Sequence, residues 1–226
     1  VRTAEPEQVA ERRVTLRRPA PAQQMNLAYH GPSASHPDSA AMVVLDTILS
    51  GGKGIGLGSG GGMGRSSRLY RSLVSSGLCS GASSSFPLAI DPYLFSIAAT
   101  LVPSTEPEQV ERVVFDEVRR LREEDVPQVE LERAVKQIRA QFAYAGESVT
   151  QQGYWLGSMK TVAPNEDPDE YIEKVAATTP EDIRRVASTY LPAGIYTLGW
   201  LIPTEPTGGQ VALNGDAPNP MTRPSF

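Results

Sequence analysis

The 226 residues carry 21 Lys and Arg against 26 Asp and Glu, for a net charge of −5, so no general basic footprint for nucleic acid is present. With 40% apolar and 21% charged residues the composition is that of a soluble globular protein. The longest apolar run, Ala40 to Leu45, falls far short of the ~20 residues of a membrane span, so no direct membrane span is expected. No signal peptide is visible from Val1, which says little about the compartment; the expectation is a soluble chain of the bacterial periplasm or cytoplasm.

Residues 1–12 are polar and read as a loosely attached segment. Strands are expected at Arg13–Leu16 and Met25–Tyr29, separated by Pro19 and Pro21. Arg12, Arg13, Arg17 and Arg18 form the one basic cluster, more simply a charged edge strand than a docking patch. His36-Pro37-Asp38 opens a helix to about Leu49, with Ala41, Val44, Leu45, Ile48 and Leu49 as its apolar face.

Gly51 to Gly64 follows, with nine glycines in fourteen positions and no proline, acid or aromatic. Such a run cannot bury apolar surface and reads as a surface loop that contacts something. A helix capped by Ser66 or Ser67 runs next to about Gly77, then a small, polar strand over Leu78–Phe86. Tyr93–Val102 alternates Phe95, Ile97, Ala99 and Leu101, a half-buried strand.

Thr105-Glu106-Pro107-Glu108 reads as a capping box starting a helix to Leu121. After Val126-Pro127 a second long helix carries Leu131, Val135, Ile138 and Phe142. Glu147–Thr161 is a further helix with Tyr154, Trp155 and Met159 apolar, and Asp167–Ala177 a shorter one. Thr179-Pro180-Glu181-Asp182 starts the last, whose buried face is Ile183, Val186 and Tyr190. Ile195–Ile202 returns to strand, and residues 204–226 are an irregular Pro/Gly-rich tail. Strands in hairpins and helices in a block give an α+β fold: a two-layer sandwich with helices on one face of a largely antiparallel sheet, in one domain over residues 13–203.

Self-contained chemistry is hard to find. Gly56-x-Gly58-x-x-Gly61 fits the dinucleotide pattern by letter, but it follows a helix, and position 81 is glycine where a carboxylate is needed. Gly52-Lys53-Gly54 fails the phosphate-loop pattern. His30 and His36 are the only histidines and lie in neither zinc-peptidase signature. Cys79 stands alone and reads as a buried structural thiol. Glu123-Glu124 and Glu130, Glu132 read as a solvated face.

The order of elements, with Ser66-Ser67-Arg68-Leu69-Tyr70, Glu130-Leu131-Glu132-Arg133-Ala134 and Thr179-Pro180-Glu181-Asp182-Ile183, resembles the C-terminal halves of pitrilysin/insulinase-type zinc peptidases, the inverzincins that include processing peptidases. The likeness covers Arg13 to Pro203. It implies a processing-peptidase-like half without catalytic residues, metal ligands or cofactor of its own. A homologous half or subunit would carry the zinc, and the pair would enclose an unfolded peptide. Many such halves carry an Arg and a Tyr seven residues apart that reach the substrate. Here those places hold Val74 and Gly81 in one register and Leu73 and Ser80 in the other, so the pair is missing. The glycine run resembles the substrate-handling loop of the non-catalytic processing-peptidase subunit. Gly51, Gly52, Lys53, Gly54, Gly56, Gly58, Gly60, Gly61, Gly62, Met63 and Gly64 are thereby the candidate substrate-contact residues. The rival expectation is a purely structural subunit like the core proteins of respiratory complexes; a nucleotide-binding protein is the third.

Overall fold

In the computed structural model the described residues are 7–52 and 64–204. Five strands form one sheet in the order β1-β5-β2-β4-β3: β1 Arg12–Pro19, β2 Gln24–Gly31, β3 Cys79–Ser85, β4 Tyr93–Leu101 and β5 Thr197–Thr204. Only the β1–β5 pairing is parallel; β5–β2, β2–β4 and β4–β3 are antiparallel. The helices are α1 Ser39–Ser50, α2 Pro107–Glu123, α3 Gln128–Ala145, α4 Val149–Val162, α5 Pro168–Ala176 and α6 Pro180–Tyr190. The fold is α+β, as expected.

Alternation in the strands decides which face the helices cover. Met25, Leu27 and Tyr29 of β2 are buried, as are Phe95, Ile97 and Ala99 of β4, while the residues between them are more open. On the uncovered face β1 aligns Val14 with Gly199 and Leu16 with Leu201. Among the described residues no strand carries an Asp or Glu on either face.

Helix α1 is the centre of the helical layer and packs against α3, α5, α6 and β3. Apart from Val43, every one of its residues is buried, which goes beyond the single apolar face expected. Its N-cap, Asp38, does not cap with its side chain. The carboxylate turns instead to α6, where Arg185 Nη1 donates at 2.7 Å and Tyr190 Oη at 2.9 Å. Burial, then the Asp38 contact, pushes the Tyr190 hydroxyl up to about 12. Tyr190 therefore joins the helices through its hydroxyl and is only partly buried.

Three local expectations need correction. The segment after the glycine run forms a short π turn, Tyr70–Val74, in place of the expected regular helix. Ser75 N–H bonds Tyr70 O and Leu78 N–H bonds Leu73 O, five residues back. Ser72 and Ser76 hydroxyls also bond carbonyls four residues back, a local competition that widens a helical turn. At the second site, Thr105 makes no capping box. Its hydroxyl donates to Leu78 O at 2.9 Å, and α2 starts one residue later from Glu106 with Pro107 in its first turn. Thr179 and Asp182 do form the reciprocal box at α6. Thirdly, Tyr154 is 46% exposed, and the fully buried side chains that seat α4 are Trp155 and Met159, four residues apart.

Cys79 opens β3 and is 2% exposed. Burial pushes its thiol up to about 11, so it is uncharged at neutral pH and packs as a small apolar group. A thiol reagent is expected to label the folded chain slowly and the urea-unfolded chain at once. Equal rates in the two states would show that Cys79 is accessible.

Candidate functional site

Of the candidate substrate-contact residues, Gly51, Gly52 and Gly64 are described and form the two ends of the loop; Lys53, Gly54, Gly56, Gly58, Gly60, Gly61, Gly62 and Met63 lie outside the described residues. The neck these three glycines build follows from how α1 ends. Gly51 has φ +90°, and its N–H closes the last turn onto Thr47 O at 2.8 Å. A side chain here is disfavoured twice over, since its Cβ would stand 2.7 Å from Gly64 N. Outgoing and returning backbones therefore touch. Gly52 lies against α3, where a Cβ would meet the amide end of Gln141 and stand 3.3 Å from Gln137 Cβ.

Behind the neck sits a buried polar network that joins α1 to β3. Ser84 Oγ donates to Asp46 Oδ1, Phe86 N–H approaches Asp46 Oδ2 at 3.4 Å, and Ser50 and Ser84 hydroxyls lie 3.1 Å apart. Asp46 is 8% exposed. These residues were not singled out from the sequence. A lone acid within the apolar run Met42–Leu49 was the available signal, because a buried carboxylate needs partners.

On the returning side, Arg68 bonds both oxygens of Glu130, with Nη2 at 2.8 Å and Nε at 3.1 and 3.2 Å. The side chains are only 11% and 14% exposed. Glu130 is thus no member of a solvated face, which corrects the expectation from charge patterning. Two of the sequence motifs meet here: Leu69 and Leu73 enter the core beside Arg68, and Leu131 and Ala134 do so beside Glu130. Arg71, 60% exposed, reaches the same carboxylate at 3.5 Å.

Nearby Glu117 of α2 is 8% exposed. Burial raises its carboxyl above the ordinary 4.5, and Arg120, Arg68 and Arg71 pull it back in part. A raised folded value means that the folded chain holds the proton more tightly. The stabilisation this gives is complete below pH 4.5 and is lost as pH rises through the raised value. Glu117→Gln is therefore expected to raise the unfolding midpoint over wild type at pH 7 and to lose that advantage towards pH 4. A gain of equal size at both pH values would refute burial as the cause.

The remaining candidates do not converge. His30 is exposed on β2, and His36 Nδ1 accepts the Asp38 N–H at 3.1 Å ahead of α1. Among the described residues no group of three or more His, Cys, Asp or Glu is placed to hold a metal ion. Of the four places where the family's Arg and Tyr were sought, Leu73 is a core residue, and Ser80 is exposed on β3 with its hydroxyl towards Thr100 O. The described part of the site is built to shape and hold a backbone.

Comparison with known proteins gives these features a context. The family model described as the peptidase M16 inactive domain matches residues 1–138. A search of curated proteins returned no match. Among solved structures, a protease from Helicobacter pylori superposes with a TM-score of 0.77 at 22% identity, covering 88% of this chain and 46% of that one. A peptidase M16 inactive domain from Pseudomonas fluorescens gives 0.73 at 19% identity, over 90% of this chain and 46% of that one. A chain of Complex III2 from Candida albicans gives 0.67 at 15% identity, over 85% and 45%. The chain spans about half the length of these structural relatives.

Proposed function

Because the chain belongs to the peptidase M16 inactive-domain family, we propose that it pairs with a homologous zinc-bearing half to enclose peptide substrates, with the loop from Gly51 to Gly64 steering the peptide. The observation that carries this reading is the neck: two glycine backbones in contact, seated on α3, with the run of glycines between them. A loop with few side chains presents N–H and C=O groups to varied peptides without selecting for side chains. In this reading the zinc is carried by the partner half, as the likeness to zinc peptidases implies. No helix among the described residues is long and apolar enough to cross a membrane.

Pairing has support in the uncovered sheet face. Val14 and Leu16 are 48% and 50% exposed there, and a shallow groove of about 210 Å³ runs past them to Gly199, Leu201 and Asn26. Apolar side chains on a face free of carboxylates are the surface that a partner would cover. The structural-subunit reading draws on the likeness to the Complex III2 chain and keeps the same pairing without proteolysis.

The test is co-expression with the zinc-bearing half. The isolated chain is expected to show no peptidase activity and the pair to be active. Removing Gly54–Gly62 is expected to lower turnover by about tenfold or more without moving the unfolding midpoint. Unchanged turnover after the deletion would remove the steering role. An inactive but stable complex would favour the structural subunit.

A further inference from the structure

We propose that the groove between α3 and α5 is a docking site for an extended peptide segment that carries carboxylates beside apolar side chains. The groove measures about 500 Å³ and uses a face of α3 other than the one that meets the glycine neck. Gln137 and Gln141 face the neck, whereas the groove takes Leu131, Val135 and Arg139 at four-residue spacing, with Lys136 beside them. Leu131 is buried and Val135 half-buried, so the bottom is apolar, and the opposite wall is uncharged Ala176 and Thr178.

Charge selects the occupant. Lys136 and Arg139 are exposed along the rim, and among the described residues neither takes part in an ion pair or a side-chain hydrogen bond. The one carboxylate in the lining, Glu132, accepts from the Gln128 amide at 3.0 Å. A cationic rim over an apolar bottom, in a chain whose net charge is −5, is complementary to carboxylates spaced along a chain with apolar residues between them. The site lies apart from the neck and does not depend on the peptidase-half reading.

The experiment is fluorescence anisotropy on the full chain with three labelled peptides that alternate Leu with Glu, Gln or Lys. The Leu/Glu peptide is expected to bind, the Leu/Gln peptide more weakly and the Leu/Lys peptide least. Charge reversal by K136E with R139E should weaken the Leu/Glu peptide about tenfold or more, as should added salt. Ala140→Trp, which fills the groove and leaves its charge alone, should weaken binding as well. Circular dichroism confirms that each variant is folded. No binding of the Leu/Glu peptide, indifference to the charge reversal, equal binding of all three peptides, or full affinity in Ala140→Trp would each overturn the assignment.

Discussion

Glu130→Ala is expected to lower the unfolding free energy by about 3–5 kcal/mol, because it strands the guanidinium of Arg68 in a site closed to water. Arg68 donates through Nε and Nη2 to both carboxylate oxygens, with side-chain exposures of 11% and 14% for the pair. Arg71 offers no compensation, since it is a second cation on the same carboxylate and, at 60% exposure, is solvated without it. Removing one ion costs more than removing both. The double variant Arg68→Met with Glu130→Leu replaces the pair by apolar groups of similar length and is expected to cost less than about 2 kcal/mol. Urea unfolding of the two single variants and the double variant checks this directly. A Glu130→Ala change within about 0.5 kcal/mol of wild type would mean that the bridge does not clamp the π turn onto α3.

Gly51→Val is expected to cost about 2–4 kcal/mol, from a β-branched residue forced to positive φ and from collision with the returning backbone. Neither partner can move cheaply: φ is set by the hydrogen bond to Thr47 O, and the obstacle is Gly64 N at 2.7 Å, a backbone atom. Gly52→Ala makes the informative contrast. Its nearest obstacle is the amide end of Gln141, which swings aside by rotamer change, so the expected cost is under about 1 kcal/mol. Thermal unfolding of both variants tests the order. If Gly52→Ala proved the more damaging, α3 and not the Gly51–Gly64 contact would be what fixes the neck. In the reconstituted pair Gly51→Val should also lower peptide turnover, because the loop ends can no longer meet as they do.

The strands and the long helices were legible because their periods are simple. Phe95, Ile97, Ala99 and Leu101 alternate and are buried; of Leu131, Val135, Ile138 and Phe142, read at helical spacing, Leu131 and Ile138 are buried and the other two pack half-buried against the core. Thr179 and Asp182 were legible for a related reason, since a capping box is contained within four residues. Thr105, with Glu108 three residues on, offered a similar pattern and misled, because Leu78 O, 27 residues away, competed for its hydroxyl. Glu130 misled in the same way: its neighbours in sequence are charged and solvated, and only Arg68, 62 residues away, makes burial tolerable.

The amino-acid sequence alone therefore determined the alternation of elements, that its two histidines fall in neither zinc-peptidase signature, and the family likeness that followed from motif order. Those are properties of local period and residue type. The tertiary structure decided which charges are buried, how the two ends of the glycine loop meet, and that α3 presents one face to that neck and another to a separate groove. Such facts rest on contacts between residues far apart in the chain. A side chain's burial and partners depend on what packs over it, and local spacing carries no record of that.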